Sequence, residues 1–134
     1  MNIKDTTITL ETGEGLSVHD ISAAISAAVA DAGIVNGFVT VTSQQTTTAL
    51  GINEKEGRLL DDIKTFFARL IPRDAGYRHN DIHLRDCPPD EPENAHAHLA
   101  ALLLGSSEVV PLRGGELVLG QYQSVMLFEL DGPR

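Results

Sequence analysis

Val109-Val110-Pro111-Leu112-Arg113-Gly114-Gly115-Glu116-Leu117-Val118-Leu119, continued by Tyr122 to Leu130, is the stretch on which the fold turns. Two short apolar runs flank the paired glycines, which supply the positive φ that a primed hairpin turn needs. Tyr122 to Leu130 then alternates, with Tyr122, Ser124, Met126, Phe128 and Leu130 on one face and Gln123, Val125, Leu127 and Glu129 on the other. A period of two over nine residues predicts a strand. Glu129 then enters a mostly apolar face, where a carboxylate needs partners. A histidine or arginine across the sheet would supply them, and so would exposure at an edge. The last third is therefore predicted to be a β-meander.

Reading outward from it, Asn94 to Leu104 predicts a short helix closed by Gly105. Before it, Arg73 to Glu93 holds three prolines, His79, His83 and Cys87, and reads as a long loop. Glu56 to Leu70 predicts a second helix, with Leu59, Leu60, Ile63, Phe66, Phe67 and Leu70 as its stripe and Pro72 beyond its end. Phe38 to Thr42 is alternating and β-rich. Near the start, Thr6 to Glu11 predicts a strand ending at Gly13-Glu14-Gly15. A helix is predicted to open at Ser17 with Asp20 in a capping box, to carry Ile21, Ala24, Ile25, Ala28 and Val29, and to stop at Gly33. The order β-α-β-α-α-βββ over residues 1–134 predicts one α+β domain, mostly antiparallel and sandwich-like, with about three helices.

Composition narrows the function classes. Nineteen acidic residues against ten basic ones leave a formal charge of −9. That balance repels phosphate backbones and anionic lipid, so neither nucleic acid nor a membrane is expected as a partner. An anionic ligand would need the few cations gathered in one place. Cys87 is the only cysteine, which excludes an intrachain disulfide and suits a reducing compartment. Its neighbours offer no cation to activate the thiol. Met1 to Asp5 has no apolar stretch, and the longest apolar run, Leu99 to Leu104, is too short to span a bilayer. A soluble, cytoplasmic protein is expected.

No Gly-rich phosphate loop, HExxH, GxSxG or zinc spacing occurs. His19 falls in the first turn of the first predicted helix, and His79 and His83 share the long loop. His96 and His98, two apart on a helix, point to opposite sides. Asn94 and His98, four apart, share a face that Leu102 continues. Spacing alone favours a helix-capping Asn94 with a packed His98. Thr46-Thr47-Thr48-Ala49-Leu50-Gly51-Ile52-Asn53-Glu54 lies between a strand and a helix, where hydroxyls and backbone N–H groups can cup an anion. Glu54 there is a candidate base or ligand, or merely a complement to the helix dipole.

Several of these segments together resemble one family. They are Gly37-Phe38-Val39-Thr40-Val41 leading to Thr46-Thr47-Thr48-Ala49-Leu50, then Ile52-Asn53-Glu54, Asp61-Asp62 and Leu70-Ile71-Pro72. Tyr77-Arg78-His79, Asn94-Ala95-His96-Ala97-His98-Leu99, Leu104-Gly105 and Val110-Pro111 follow, and then Gly115-Glu116-Leu117-Val118-Leu119-Gly120 and Glu129-Leu130-Asp131-Gly132-Pro133-Arg134. In order and register the set resembles the YjbQ-like proteins, also called the secondary thiamine-phosphate synthase family. The resemblance implies a homotrimer with pockets near the subunit boundaries. It also implies a secondary activity, the joining of a pyrimidine diphosphate to a thiazole phosphate. The site it implies comprises Gln45, Asn53, Glu54, His79, and His98 with Asn94.

Three departures accompany the resemblance. Gln45 stands where the family usually has histidine, and glutamine cannot titrate near neutral pH. Tyr122 replaces a common tryptophan. Relatives usually continue past the position of Arg134 through a further strand, so here that strand is dispensable or a neighbouring subunit covers the edge.

The leading expectation is a homotrimeric enzyme acting on a small phosphorylated or anionic metabolite. Glu54, His79 and His98 would be catalytic, with Glu54 as base or orienter. Thr46 and Thr47 would hold phosphate oxygens, Gln45, Asn53 and Asn94 would contact ligand, and Arg78 and Arg134 would be the local cations. A second expectation is a non-catalytic trimer with a decayed site, binding a ligand or a divalent metal such as zinc through His79 and His98. A third is a scaffold whose surface is its function.

Overall fold

The computed structural model describes every residue from Met1 to Arg134. The elements are β1 (Gly15–Asp20), α1 (Ser22–Ala32), β2 (Gly37–Thr42), β3 (Thr48–Asn53), α2 (Gly57–Leu70), α3 (Ala95–Leu104), β4 (Ser107–Arg113), β5 (Glu116–Leu117) and β6 (Ser124–Gly132). Single turns of 3-10 helix, Arg78–Asn80 and Ile82–Leu84, punctuate the long loop. Two antiparallel three-stranded sheets, β1-β6-β3 and β2-β4-β5, carry the three α-helices. The α+β class is as the sequence implies.

Burial on both sides of β6 organises the molecule. Met126, Phe128 and Leu130 pack with Ala49 of β3, Phe67 of α2, and Ala97, Ala100 and Ala101 of α3. On the opposite face Val125 meets Leu50, then Val110 and Leu112 of the second sheet, and Ile21, Ile25 and Val29 at α1. The alternation read in Tyr122–Leu130 thus feeds two cores, one under the helices and one between the sheets. Leu50, Val110, Val125 and Met126 are 1% exposed or less.

Local chemistry sets the element ends. Glu56 precedes α2, and its carboxylate accepts from the Arg58 N–H at 2.9 Å and the Leu59 N–H at 2.8 Å. That satisfies two of the N–H groups a helix start leaves free, and these bonds hold the Glu56 carboxyl below its ordinary value. Gly33 ends α1 at φ 67°, a conformation that costs a residue with a Cβ. Gly114 and Gly115 both take positive φ, as the predicted turn requires.

Several sequence expectations change. Thr6–Glu11 forms no strand. The residues read as a helix start are strand β1, and its pairing Ser17↔Glu129, Val18↔Phe128, His19↔Leu127 overrides the cap-like Ser17 and Asp20. His19 therefore lies on a strand, its Nε2 2.9 Å from Ser17 Oγ. Thr48–Asn53, read as part of a polar connection, is β3, paired with β6 from Thr48↔Glu129 to Asn53↔Ser124. The last third is not a meander: β4 and β5 form the hairpin, while β6 crosses to the other sheet. Leu102 does not bury beside His98 but lies 81% exposed.

Glu129 is neither at an edge nor paired with a cation. It is fully buried. The Thr12 hydroxyl donates to its Oε2 at 2.9 Å and the Asp131 N–H to its Oε1 at 2.9 Å. Thr12 also accepts from the Arg134 N–H at 2.9 Å. Glu129 therefore ties the chain before β1 to the end of β6, where the polar side chains collect.

Candidate functional site

Three elements meet at the C-terminal end of β6. The long loop supplies His79, α3 supplies Asn94, His96 and His98 at its N-terminal end, and β6 supplies Asp131. The Asn80 side chain accepts from the Ala95 N–H at 3.1 Å, fastening the loop to the start of α3. The Arg85 guanidinium donates to the His79 carbonyl at 2.8 Å, fastening the loop to itself. Asn94 precedes the helix but does not cap it: its Nδ2 donates to Asp131 Oδ2 at 2.7 Å. Arg134 Nη2 donates to the same oxygen at 3.0 Å.

The rings of His79 and His98 meet edge to face with centroids 4.7 Å apart. His79 Nε2, Asn94 Oδ1 and His96 Nδ1 are buried and have no hydrogen-bond partner in the chain. They are the only buried side-chain polar atoms in that condition. Each such atom costs about 1–3 kcal/mol, so three of them on the long loop and at the start of α3 mark a candidate site.

Both α3 imidazoles are held below their ordinary value. Burial does most of this for His98, with His79 and Arg85 pushing the same way and Asp131 and Glu91 opposing. For His96 the causes are burial, then Arg73, with His98 adding and Asp131 opposing. In the unfolded chain an imidazole titrates near ~6.5, so protonation favours the unfolded state. Stability is expected to be full above pH ~6.5 and to fall as pH drops through that value toward the lower folded-state values. Urea melts at pH 7.5 and pH 5, with His96→Gln/His98→Gln flattening the difference, check this. NMR titration placing both imidazoles at or above 6.5 would overturn it.

The structure brings together only part of the expected set. His79, His98 and Asn94 converge, and Arg134 reaches them through Asp131. The bond from the Leu130 N–H to the Thr47 carbonyl, 3.1 Å, continues the β3–β6 ladder and brings the Gln45–Thr47 segment alongside the end of β6. Thr47 is buried, while the Gln45 and Thr46 side chains are exposed. Asn53 and Glu54 lie at the other end of β3, about 17 Å of strand away, where Asn53 pairs with Ser124. Arg78 is exposed, and Arg85 is the arginine that bonds His79.

Sequence reasoning missed Arg73, Arg85 and Asp131 and set His96 aside. Asp131 stood within the quoted Glu129–Arg134 segment; no sequence signal pointed to Arg73 or Arg85. A polar cleft of about 660 Å³ adjoins the cluster, lined by Arg73, Tyr77, Asn80, Asp81 and Glu93 among others. Of the scarce cations, Arg85 bonds the His79 carbonyl, Arg134 is paired with Asp131, and Arg73 acts on His96 through its charge. Metal chemistry is less well served. Zinc takes four ligands, yet no three His, Cys, Asp or Glu side chains converge anywhere in the chain. One subunit's residues do not fit a resident metal.

A family model described as UPF0047 protein YjbQ-like matches residues 6–134. The chain belongs to this family. A UPF0047 protein of Methanothermobacter thermautotrophicus is 39% identical over 134 residues, covering 100% of this chain and 87% of the relative. One from Archaeoglobus fulgidus is 40% identical over 127 residues, 95% of this chain and 91% of its own. Among solved structures, a YbjQ-like protein of unknown function from Sulfolobus solfataricus superposes with TM-score 0.82 at 35% identity, covering 93% of this chain and 84% of its own. A hypothetical protein from Aeropyrum pernix gives TM-score 0.83 at 35% identity, covering 93% and 87%. The UPF0047 fold accounts for the two sheets and three helices, and no helix is long and apolar enough to cross a membrane.

Proposed function

We propose that this UPF0047 protein is a homotrimer of the cytoplasm that binds and acts on a small phosphorylated or anionic metabolite. The reaction proposed is a weak transfer of the thiamine-phosphate synthase type, in which the thiazole nitrogen bonds to the pyrimidine's methylene carbon as the C–O bond to diphosphate breaks and diphosphate leaves. The observation that carries the reading is the set of His79, Asn94 and His96 atoms left buried and unpartnered where the long loop meets the start of α3. In this reading neutral His98 donates to or withdraws a proton from ligand oxygen, and His79 binds the anionic group. Thr46, Thr47 and Gln45 lie at the rim, and Arg78 faces solvent. Asn53 and Glu54 stand too far along β3 to join the same subunit's cluster and would serve a neighbour's.

Assembly is supported by the inverted packing of α3. Its alanines, Ala95, Ala97, Ala100 and Ala101, are buried, while Leu99, Leu102 and Leu103 are exposed. A helix apolar all round belongs inside a protein or an assembly. The outer face of the second sheet adds Phe38 and Val109. Leu102→Glu/Leu103→Glu is expected to convert a trimer to monomers in light scattering. A monomeric wild type would remove the trimer reading.

A second reading keeps the binding and drops the chemistry. Gln45, in the position where the family usually has histidine, is exposed, and its side chain bonds nothing in the chain. Incubating the wild type with the pyrimidine diphosphate and thiazole phosphate decides between them. Product above the uncatalysed rate supports the transferase. No product, with either of these organic phosphates still shifting the His79 and His98 resonances, leaves the binding protein.

A further inference from the structure

The amide of Asn94 has only one workable orientation. Its Nδ2 faces Asp131 Oδ2 at 2.7 Å, and a carboxylate only accepts. Turning the amide over would set two acceptors against each other, so the assignment does not depend on telling nitrogen from oxygen. Arg134, donating to the same Asp131 oxygen, fixes that carboxylate in place. Asn94 Oδ1 must therefore face away from Asp131, as a buried acceptor. It has no donor there, and Asn94 as a whole is 5% exposed.

This bears on what the site takes. A bare phosphate or sulfate dianion presents acceptors alone and would be repelled by Asn94 Oδ1. His79 Nε2 and His96 Nδ1 answer an anion, since an imidazole nitrogen donates in one tautomer. The Asn94 oxygen answers only an N–H or O–H. Resting on the reading of this cluster as a ligand site, we infer that the ligand carries a hydroxyl or amino donor placed against Asn94 Oδ1 while its anionic group meets the imidazoles and arginines. The class is a hydroxyl- or amino-bearing phosphate ester or carboxylate, not an inorganic anion. Because the three atoms are shielded from solvent, the cluster must open slightly to admit it.

Two probes of equal size and charge separate the donor from the anion: 2-hydroxyethyl phosphate and propyl phosphate, which differ in one terminal group. Binding to the full chain is followed by calorimetry or by amide shifts. The hydroxyl compound is expected to bind the wild type about ten-fold tighter or better, the effect of leaving one buried acceptor unmet. In Asp131→Asn the Asn94 amide is free to turn over, its Oδ1 then accepting from the new Nδ2 while its own Nδ2 takes the outward position, so the orphan acceptor is satisfied from within and the preference should fall below about two-fold. Asn94→Ala, which deletes the acceptor, should remove the preference as well and serves if Asp131→Asn does not fold. Equal binding of both probes to wild type overturns the donor inference and leaves the anion site standing. So does a preference that survives in the folded variants. If neither probe binds, the cluster is not a ligand site and both readings fall.

Discussion

In the proposed transferase reaction, His98→Ala is expected to lower the rate of thiamine-phosphate formation by roughly 10²- to 10⁴-fold, the range for removing a positioned general acid or base. The ring sits on α3 one turn beyond Asn94, edge to face with His79 at 4.7 Å. Burial, His79 and Arg85 hold it below its ordinary value, so at neutral pH it is an uncharged imidazole able to give or take a proton. Its side chain makes no hydrogen bond in the chain, so its removal breaks no internal network, and the loss should fall on rate more than on fold. Initial rates of wild type and variant, with melting curves as control, test this. Equal rates in two equally folded proteins would take His98 out of the mechanism.

Gly132→Ala is expected to be the most damaging single-methyl change to stability. A Cβ there would fall on the Gly13 carbonyl oxygen and within 2.8 Å of Glu129 Cγ. The first is backbone and the second belongs to a side chain with no exposed surface, so neither can step aside cheaply. The segment before β1 must lift. Doing so breaks the Thr12 hydroxyl bond to Glu129 and the three Thr12–Arg134 bonds, of 2.9, 3.0 and 3.3 Å, that clip it to the end of β6. Overpacking of this kind costs about 3 kcal/mol, roughly 10 °C in Tm for a chain of this size. Gly57→Ala, where a Cβ meets nothing within 4 Å, is the control expected to melt like wild type. An unchanged Tm for Gly132→Ala would show that the N-terminal segment is not held as described. Because Asp131 is the next residue, the same variant should also weaken the Asn94 anchor.

What was legible in the sequence was local. The period of α2, its Glu56 start, the Gly33 stop and the Gly114-Gly115 turn each depend on neighbours within about four residues. All are found as read. Ser17–Asp20 was misread because a serine followed three residues later by an acid imitates a helix start. Its true state is set by Glu129, Phe128 and Leu127, more than a hundred residues away. Thr48–Asn53 hid for a related reason: alanine and glycine are poor strand formers, and only the pairing with β6 makes them β3. Thr6–Glu11 has the alternation of a strand but no partner, and pairing decides.

The site divides in the same way. His79, Asn94 and His98 were named from the resemblance, and the fold gathers them. Asn53 and Glu54 were named with them, yet β3 holds them at its far end. Arg73, Arg85 and Asp131 carry no mark in the sequence, and His96 was set aside because residues two apart on a helix diverge. The sequence by itself determined the family and the fold class, since these follow from residue identity and short spacing. Only the tertiary structure decided that the His79 and His98 rings meet edge to face, with Arg85 held on the His79 carbonyl. Only it fixed Asn94 as an acceptor: that depends on Asp131, thirty-seven residues on, meeting it across a sheet–helix boundary that no local pattern encodes.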